Sequence, residues 1–185
     1  MSDLLSPLFA FILFLPSFVA NPAAVLTSGK LKMDFGKFFI DGRRILGDGK
    51  SWSGFLGGSL VGTAFGVMIY SILSFFGVFH WSLPGSIPFI VSASAILAFG
   101  SLTGDAVGSF IKRRLNIKRG QSAFLLDQWP FVLVSFLFLY LTFPGFFMEF
   151  YGNIIGAATI LIVTPPLHRA INIIGYRMHR KDVPW

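Results

Sequence analysis

The chain has no cysteine, which excludes disulfides and thiolate metal sites. It is also poor in charge: 12% of its 185 residues are Asp, Glu, Lys or Arg, where an ordinary soluble domain carries about 25%. Acidic groups are scarcer still, eight against fifteen basic. The three histidines, His80, His168 and His179, fall at no spacing that forms a metal pair or a nucleophile–base pair, so a zinc enzyme or a serine triad is not expected. What is there is apolar, 54% hydrophobic with 23 Phe. So few charged side chains cannot cover such a core in water, and lipid is the natural solvent. The sequence reads as all-α, a polytopic helical membrane protein.

A bilayer core takes about 20 apolar residues in a helix. The first such run is about 4–26. Its amino end carries Asp3 and no Lys or Arg, unlike a cleaved leader, so it reads as a retained span. From Ser51 to Gly104 there are 54 residues without Asp, Glu, Lys or Arg. One helix of that length would reach roughly 80 Å, so the run must fold back, with the turn signalled by His80-Trp81-Ser82-Leu83-Pro84-Gly85. This gives spans at about 54–79 and 86–110. Two more follow at 131–147 and 152–167, the last broken or kinked by Pro165-Pro166. The expectation is five transmembrane helices in one membrane domain covering 1–185.

Every Lys and Arg falls in three segments, 27–53, 111–130 and 168–185, and the two opposite loops have none. The positive-inside rule places these segments in the cytoplasm, with the amino terminus outside and the carboxyl terminus cytoplasmic. The formal charge of +7 then reads first as topology and attraction to anionic membrane lipids, not as a nucleic-acid surface. A site for a polyanion such as a nucleotide is the further reading. Trp52, Trp81, Trp129 and Trp185 fall near span ends, and the tail from His168 to Lys181 is expected along the interface. Glycines four apart, at Gly54, Gly58, Gly62 and Gly66 and at Gly100, Gly104 and Gly108, permit close helix packing.

Asp105 is the most informative residue, an ionisable group at the end of the long uncharged run. Such a group needs a partner or a water-filled cavity. On a helix Asp105, Ser109 and Lys112 share one face. A structural ion pair to Lys112 or Arg113 is the plainer alternative. Asp127, before the fourth span, reads as a second site carboxylate or as a helix amino-cap. Two carboxylates at adjacent span ends suit Mg²⁺, which takes one or two carboxylates together with phosphate oxygens. Lys112-Arg113-Arg114 and Lys118-Arg119 would meet the phosphates. The loop Asp41-Gly42-Arg43-Arg44-Ile45-Leu46-Gly47-Asp48-Gly49-Lys50-Ser51 mixes Gly, Asp and Lys in a way that favours nucleotide contact over a merely solvated loop. Gly49-Lys50-Ser51 is not a Walker A motif, since Arg44 stands where its first Gly belongs. Asn21-Pro22 closes the first span at the same level, where Asn21 caps a carbonyl or reaches the site.

Ser109-Phe110-Ile111-Lys112-Arg113, four residues, then Lys118 resembles the first half of the phosphatidate cytidylyltransferase (CDP-diacylglycerol synthase) signature. The second half departs. The family continues with Asp, a His-Gly-Gly run and Asp-Arg, whereas this chain has Arg119, Gly120-Gln121-Ser122 and Asp127-Gln128. That departure, the five-span size and the Asp41–Ser51 loop resemble the archaeal branch, the CDP-archaeol synthases. The resemblance implies Mg²⁺-dependent transfer of CMP from CTP to an ether lipid phosphate, 2,3-bis-O-geranylgeranylglycerol 1-phosphate. Asp105 and Asp127 would hold the metal, and Lys112, Arg113, Lys118 and Lys50 would offset triphosphate charge. Arg43 or Arg44 would meet the lipid phosphate, with Asn21, Asp48 and Ser109 lining the site. The rival readings are a CDP-alcohol phosphotransferase, whose aspartate motif does not follow Asp41-Gly42, and a transporter subunit, which would need polar groups at mid-span.

The absence of native cysteine makes topology directly testable. In sealed vesicles of known sidedness, Lys37→Cys and Lys118→Cys should react with an impermeant maleimide only from the cytoplasmic face, and His80→Cys only from the opposite one.

Overall fold

The computed structural model describes residues 6–77, 86–118, 120–179 and 183. The expected turn at 80–85, the first residues of the first span, Trp81, Arg119, Lys181 and Trp185 lie outside the described residues. Among the described residues six α-helices run in chain order: α1 (Ser6–Leu26), α2 (Trp52–Phe75), α3 (Ile87–Arg114), α4 (Trp129–Thr142), α5 (Pro144–Phe150) and α6 (Ile154–Arg177), with a 3-10 turn at Leu125–Asp127 before α4. Among the described residues there is no β-strand. Two isolated antiparallel bridges, Lys32 with Ser51 and Phe38 with Arg44, order the loop between α1 and α2.

The chain is a helical, multi-pass membrane protein. Helices α1, α2, α3 and α6 are each long and apolar enough to cross a bilayer. Helix α4 has 14 residues, about 21 Å at 1.5 Å per residue, short of the roughly 30 Å hydrocarbon core. The chain continues into α5 after a break at Phe143, where Pro144 opens the next helix.

Ser51 starts α2: its backbone is extended and its hydroxyl accepts from the Gly54 N–H at 3.1 Å. Asn153 starts α6 in the same way, accepting from Gly156 at 2.7 Å. At the far end of α3, Asn116 takes the left-handed conformation (φ 59°). The Ile117 and Asn116 amides turn back to the carbonyls of Lys112 (3.0 Å) and Arg113 (3.2 Å), a Schellman closure.

The last helix differs from expectation. It does not end near Leu167 and give way to an interfacial tail, but runs unbroken to Arg177 with Pro165 and Pro166 inside it. The two prolines remove the donors for the carbonyls of Leu161 and Ile162. In lipid a non-helical backbone leaves far more groups unsatisfied, so the helix persists through the pair.

Packing explains the glycine stripes. A Cβ built on Gly54, Gly58 or Gly62 would stand 2.7–2.8 Å from the carbonyl oxygen of Ala24, Ala20 or Pro16, so α2 lies directly on the α1 backbone. On α3, a Cβ at Gly100 would meet Ser135 Cα at 2.8 Å, and one at Gly104 would run into the Pro130 oxygen and the Phe131 Cα. These stripes are intramolecular helix seams. Phe14, Phe18, Phe131, Phe136 and Tyr151 pack edge to face in the core between α1 and α4. Buried hydroxyls tie α1 to α3 and to α2. Ser17 donates to the Leu97 carbonyl (2.9 Å), Ser101 to that of Ser17 (2.8 Å) and Tyr70 to that of Leu13 (2.6 Å), bonds worth about 0.6 kcal/mol each in a membrane.

Gly104→Ala should cost about 1–3 kcal/mol, the usual range for overpacking, because both groups it would strike are backbone atoms of α4. Thermal unfolding in detergent should show a lowered midpoint. Gly145→Ala, whose Cβ meets nothing within 4 Å, should leave it unchanged.

Candidate functional site

The carboxyl ends of α1, α3 and α6 meet the amino ends of α2 and α4 at one end of the bundle, and the basic segments gather there. The α1–α2 loop is organised by a carboxylate. Asp34 is buried, and its oxygens accept from the amides of Gly36 (3.1 Å), Leu46 (3.1 Å) and Gly47 (2.9 Å) and from the Arg44 guanidinium (2.8 Å). Gly47 adopts φ 91°, which turns its N–H inward. The loop is thus an anion cradle, as its glycines suggested, and the anion it holds is the chain's own. Burial raises the Asp34 pKa, but Arg44 and the three amides outweigh it and hold the carboxyl well below the usual range. The same pair raises the pKa of Arg44.

Both candidate lipid-phosphate arginines are engaged. Arg44 bridges Asp34 and Asp48, the latter at 3.1 Å. Arg43 donates to the carbonyls of Arg113 (3.4 Å) and Arg114, neutralising the negative end of α3. Arg114, expected with Lys112 and Arg113 to meet phosphates, instead completes the clasp. It pairs with Asp41 (3.2 Å), donates to the Arg44 carbonyl (2.6 Å) and lies 4.8 Å from the ring centres of Phe39 and Phe110.

Beyond the clasp, the structure brings the key residues together in two clefts. The first is lined by Asn21, Gly49, Lys50, Ser51, Phe55 and Asp105, among others, and its free space, counted out to the mouth, is about 380 Å³. Lys50 pairs with Asp105, whose side chain is 36% exposed and so open to a ligand. The partner is therefore Lys50 from another element, not Lys112 or Arg113 along the helix. Asn21 donates to Ser101 Oγ at 2.8 Å, leaving its Oδ1 buried without a donor.

The second cleft, about 970 Å³ on the same measure, is lined by Ser122, Phe124, Asp127, Gln128, Pro165, Pro166, His168, Arg169 and Asn172. Asp127 accepts from Lys112 Nζ at 2.5 Å and from the Ala123 amide at 2.8 Å. Asp127 thus closes its own turn and is not the amino-cap of α4, a position taken by Gln128 without a side-chain bond. Lys112 and His168 both lie within electrostatic range of Asp105, which links the clefts. Ser109 is buried, Arg113 Nε is buried without an acceptor, and Lys118 is exposed, its amide bonded to Gln121 at 2.6 Å. No described contact brings Ser109, Arg113 or Lys118 to either carboxylate.

Comparison with known proteins identifies the family. A family model described as "CarS-like: CDP-archaeol synthase" matches residues 1–185. The chain belongs to the CDP-archaeol synthase family. A CDP-archaeol synthase of Picrophilus torridus is 51% identical over 185 residues, covering the whole of both chains. One from Archaeoglobus fulgidus is 44% identical over 175 residues, 94% of each. A solved structure described as an intramembrane enzyme for archaeal membrane lipids biosynthesis superposes with a TM-score of 0.66 at 36% identity, over 90% of this chain and 94% of that one.

Sequence reasoning missed Asp34, His168 and Asn172 as residues of this end of the bundle. Asp34 carried one readable signal: an Asp two residues before a Gly favours a side-chain-closed turn. His168 and Asn172 carried none while the last span was expected to end at Leu167. The helix that places them four apart on one face, 3.2 Å from each other, begins before the prolines.

Asp34→Asn should raise amide hydrogen exchange at Leu46 and Gly47 and lower stability by on the order of 3 kcal/mol, the cost of stripping one partner from a buried pair. The folded carboxyl lies below its unfolded value of about 3.9. Its contribution is therefore complete above about pH 4 and is lost as pH falls through the lower folded pKa. Wild type and variant should differ by a constant amount from pH 5 to 8 and converge only in strong acid.

Proposed function

We infer that this chain transfers CMP from CTP to 2,3-bis-O-geranylgeranylglycerol 1-phosphate, giving CDP-archaeol and pyrophosphate. Family membership over the full length supports the reaction. The observation that carries the site is the pair of lysine-matched carboxylates, Asp105 with Lys50 and Asp127 with Lys112, at one end of the bundle. Neither a CDP-alcohol phosphotransferase nor a transporter subunit accounts for that full-length match.

The lipid phosphate is already an anion at neutral pH, so attack on the α-phosphorus of CTP needs no general base. A bond forms from the lipid phosphate oxygen to the α-phosphorus. The bond from that phosphorus to the bridging oxygen breaks, and pyrophosphate leaves with the electron pair. Catalysis then consists of positioning and charge neutralisation. Lys50 and Lys112 can swing from their carboxylates onto phosphate oxygens. Arg113, whose Nε has no acceptor, and Lys118 are further phosphate donors. Arg43 and Arg44, held in the clasp, shape the loop and present their outer faces to the lipid phosphate.

The residues fit Mg²⁺. The described residues contain no cluster of three or more His, Asp or Glu that would cage a metal, but Mg²⁺ needs only one or two carboxylates when phosphate oxygens complete its shell. The orphaned Asn21 Oδ1 beside Asp105 is an oxygen donor of the right kind. Asp105, Asn21 and Asp127 would hold the ion, and when bound it supplies charge neutralisation and orientation of the triphosphate.

We assign the basic end to the cytoplasm and the amino terminus to the outside, with α4 and α5 together making the fourth of five spans of a single membrane domain. The distribution of Lys and Arg supports this. The lipid tails stay in the bilayer while the nucleotide arrives from water.

Asp105→Asn and Asp127→Asn should each lower Mg²⁺-dependent incorporation of labelled CTP into lipid by at least a hundredfold, with an unchanged elution profile in detergent. Retained activity in either removes that carboxylate from the metal role.

A further inference from the structure

The run Phe35-Gly36-Lys37-Phe38-Phe39-Ile40, at the tip of the α1–α2 loop, is exposed throughout, and four of its members are large and apolar. Ile40 is 94% exposed, Phe38 65% and Phe35 62%. So dense an apolar patch on a loop tip marks a contact surface. A tight turn presents it. Phe38 bridges Arg44, the Phe39 amide donates to the Arg43 carbonyl at 2.8 Å, and the Gly42 amide donates to that of Phe39 at 2.9 Å, with Ile40 inside the turn. Phe35 is held out against its own backbone preference. The Lys37 amide donates to the Asp34 carbonyl at 2.8 Å across Phe35 (φ 50°) and Gly36 (φ 78°). Such doubly left-handed turns favour Asn-Gly, and a bulky residue in that region is an outlier. Asp34, which also accepts from the Gly36 amide, enforces the turn. Asn would make it more readily, so local structure does not account for the ring at Phe35.

The neighbours of the tip fix its depth. Phe39 packs edge-on against Phe110 of α3, with ring centres 5.4 Å apart. Phe99, Val107 and Phe110 share one face of α3, and Phe99 and Val107 are exposed, as lipid-facing residues of a span are. The tip therefore leans on the lipid side of the bundle. Helix α3 has 28 residues, about 42 Å, longer than a hydrocarbon core of about 30 Å. Its last turn, Lys112-Arg113-Arg114, then stands among headgroups, and Phe110, one turn earlier, at their boundary with the tails. Lys37 lies within the tip and Lys30 at the start of the loop. Both are exposed, and among the described residues neither pairs with an acid.

We propose that the tip of the α1–α2 loop is a membrane-surface anchor: Phe35, Phe38 and Ile40 enter the interfacial layer of the leaflet at the basic end, and Lys30 and Lys37 take anionic lipid headgroups. Apolar rings flanked by unpaired lysines match an anionic bilayer surface in both chemistry and charge. A second copy of the chain, carrying the same lysines, would set like charges together. The anchor does not depend on the reaction proposed above.

The lack of native cysteine permits one spin label at a time on the full-length protein. Phe35→Cys, Ile40→Cys and, as the water-facing reference, Lys118→Cys are labelled and placed in nanodiscs of phosphatidylcholine, alone or in equal parts with phosphatidylglycerol. Oxygen concentrates in the bilayer and a nickel chelate stays in water. The ratio of oxygen to chelate collisions should be several-fold higher at the Phe35 and Ile40 positions than at the Lys118 position, and higher again on the anionic discs. Lys30→Gln with Lys37→Gln should remove that anionic increment and leave the ratio on neutral discs unchanged. Because a label is itself apolar, Phe35→Asn supplies the converse. It should keep or raise the thermal midpoint in detergent, yet make the label at the Ile40 position shallower in nanodiscs. Equal chelate access at all three labelled positions overturns the proposal, as does a depth indifferent to anionic lipid. A lowered midpoint for Phe35→Asn with unchanged depth also overturns it, by making the ring a structural one. Spin–spin broadening at the Ile40 position that vanishes on dilution with unlabelled protein assigns the face to a second copy and overturns it as well.

Discussion

Contact between bare backbones fixes this molecule. Gly104 faces the Pro130 carbonyl with no room for a methyl group, and its neighbour in sequence is Asp105. That seam sets the depth of α3 against α4, and with it the offset between Asp105 and Asp127, which stands just before α4. The matching seam of α2 on α1 brings Lys50, next to the Ser51 cap, to Asp105. Lipid supplies no hydrophobic drive for helices to associate, so close packing and a few buried hydroxyl bonds must hold these offsets.

The electrostatics follow from the same constraint. Asp34, Asp41, Asp48, Asp105 and Asp127 each carry a Lys or Arg partner. The pairs divide by exposure and burial. Asp34 is sealed and its loop is rigidified around it, whereas Asp105 sits at a cleft mouth with a flexible ammonium as its counter-ion. A sealed pair fixes shape. An open pair with lysine can exchange partners when a more highly charged anion arrives, because an ammonium on a four-carbon stem carries no fixed donor fork.

Much of this could be read from the sequence. Long apolar runs, the one-sided placement of Lys and Arg and the glycine spacing gave the helices, the basic end and the close seams, since each depends on local composition. The grouping of Asn21, Lys50 and Asp105 was also legible, because helix ends at one depth are neighbours in any antiparallel bundle. What local pattern could not show was which base pairs with which acid. Lys112 is seven residues from Asp105 on the same helix yet reaches Asp127. The internal partners of Arg43 and Arg44 were not legible either, because a loop's contacts leave no periodic trace. The extent of α6 was misjudged for a different reason: the rule that proline ends helices holds in water, where freed carbonyls find solvent, and weakens in lipid.

Helix α6 leaves most of its surface uncovered and packs chiefly on α1, yet it forms one wall of the larger cleft. On the proposed reaction, a wall with so thin a backing is where a lipid headgroup would approach from the bilayer. Lifting a lipid out of the bilayer costs about 0.8 kcal/mol for each methylene drawn into water, far more than a reaction cycle could spend on two long chains. Approach from beside α6 would remove that lift. The tails remain dissolved in the membrane while only the headgroup changes compartment, so the same lipid can be exchanged by lateral diffusion in two dimensions instead of by extraction into three.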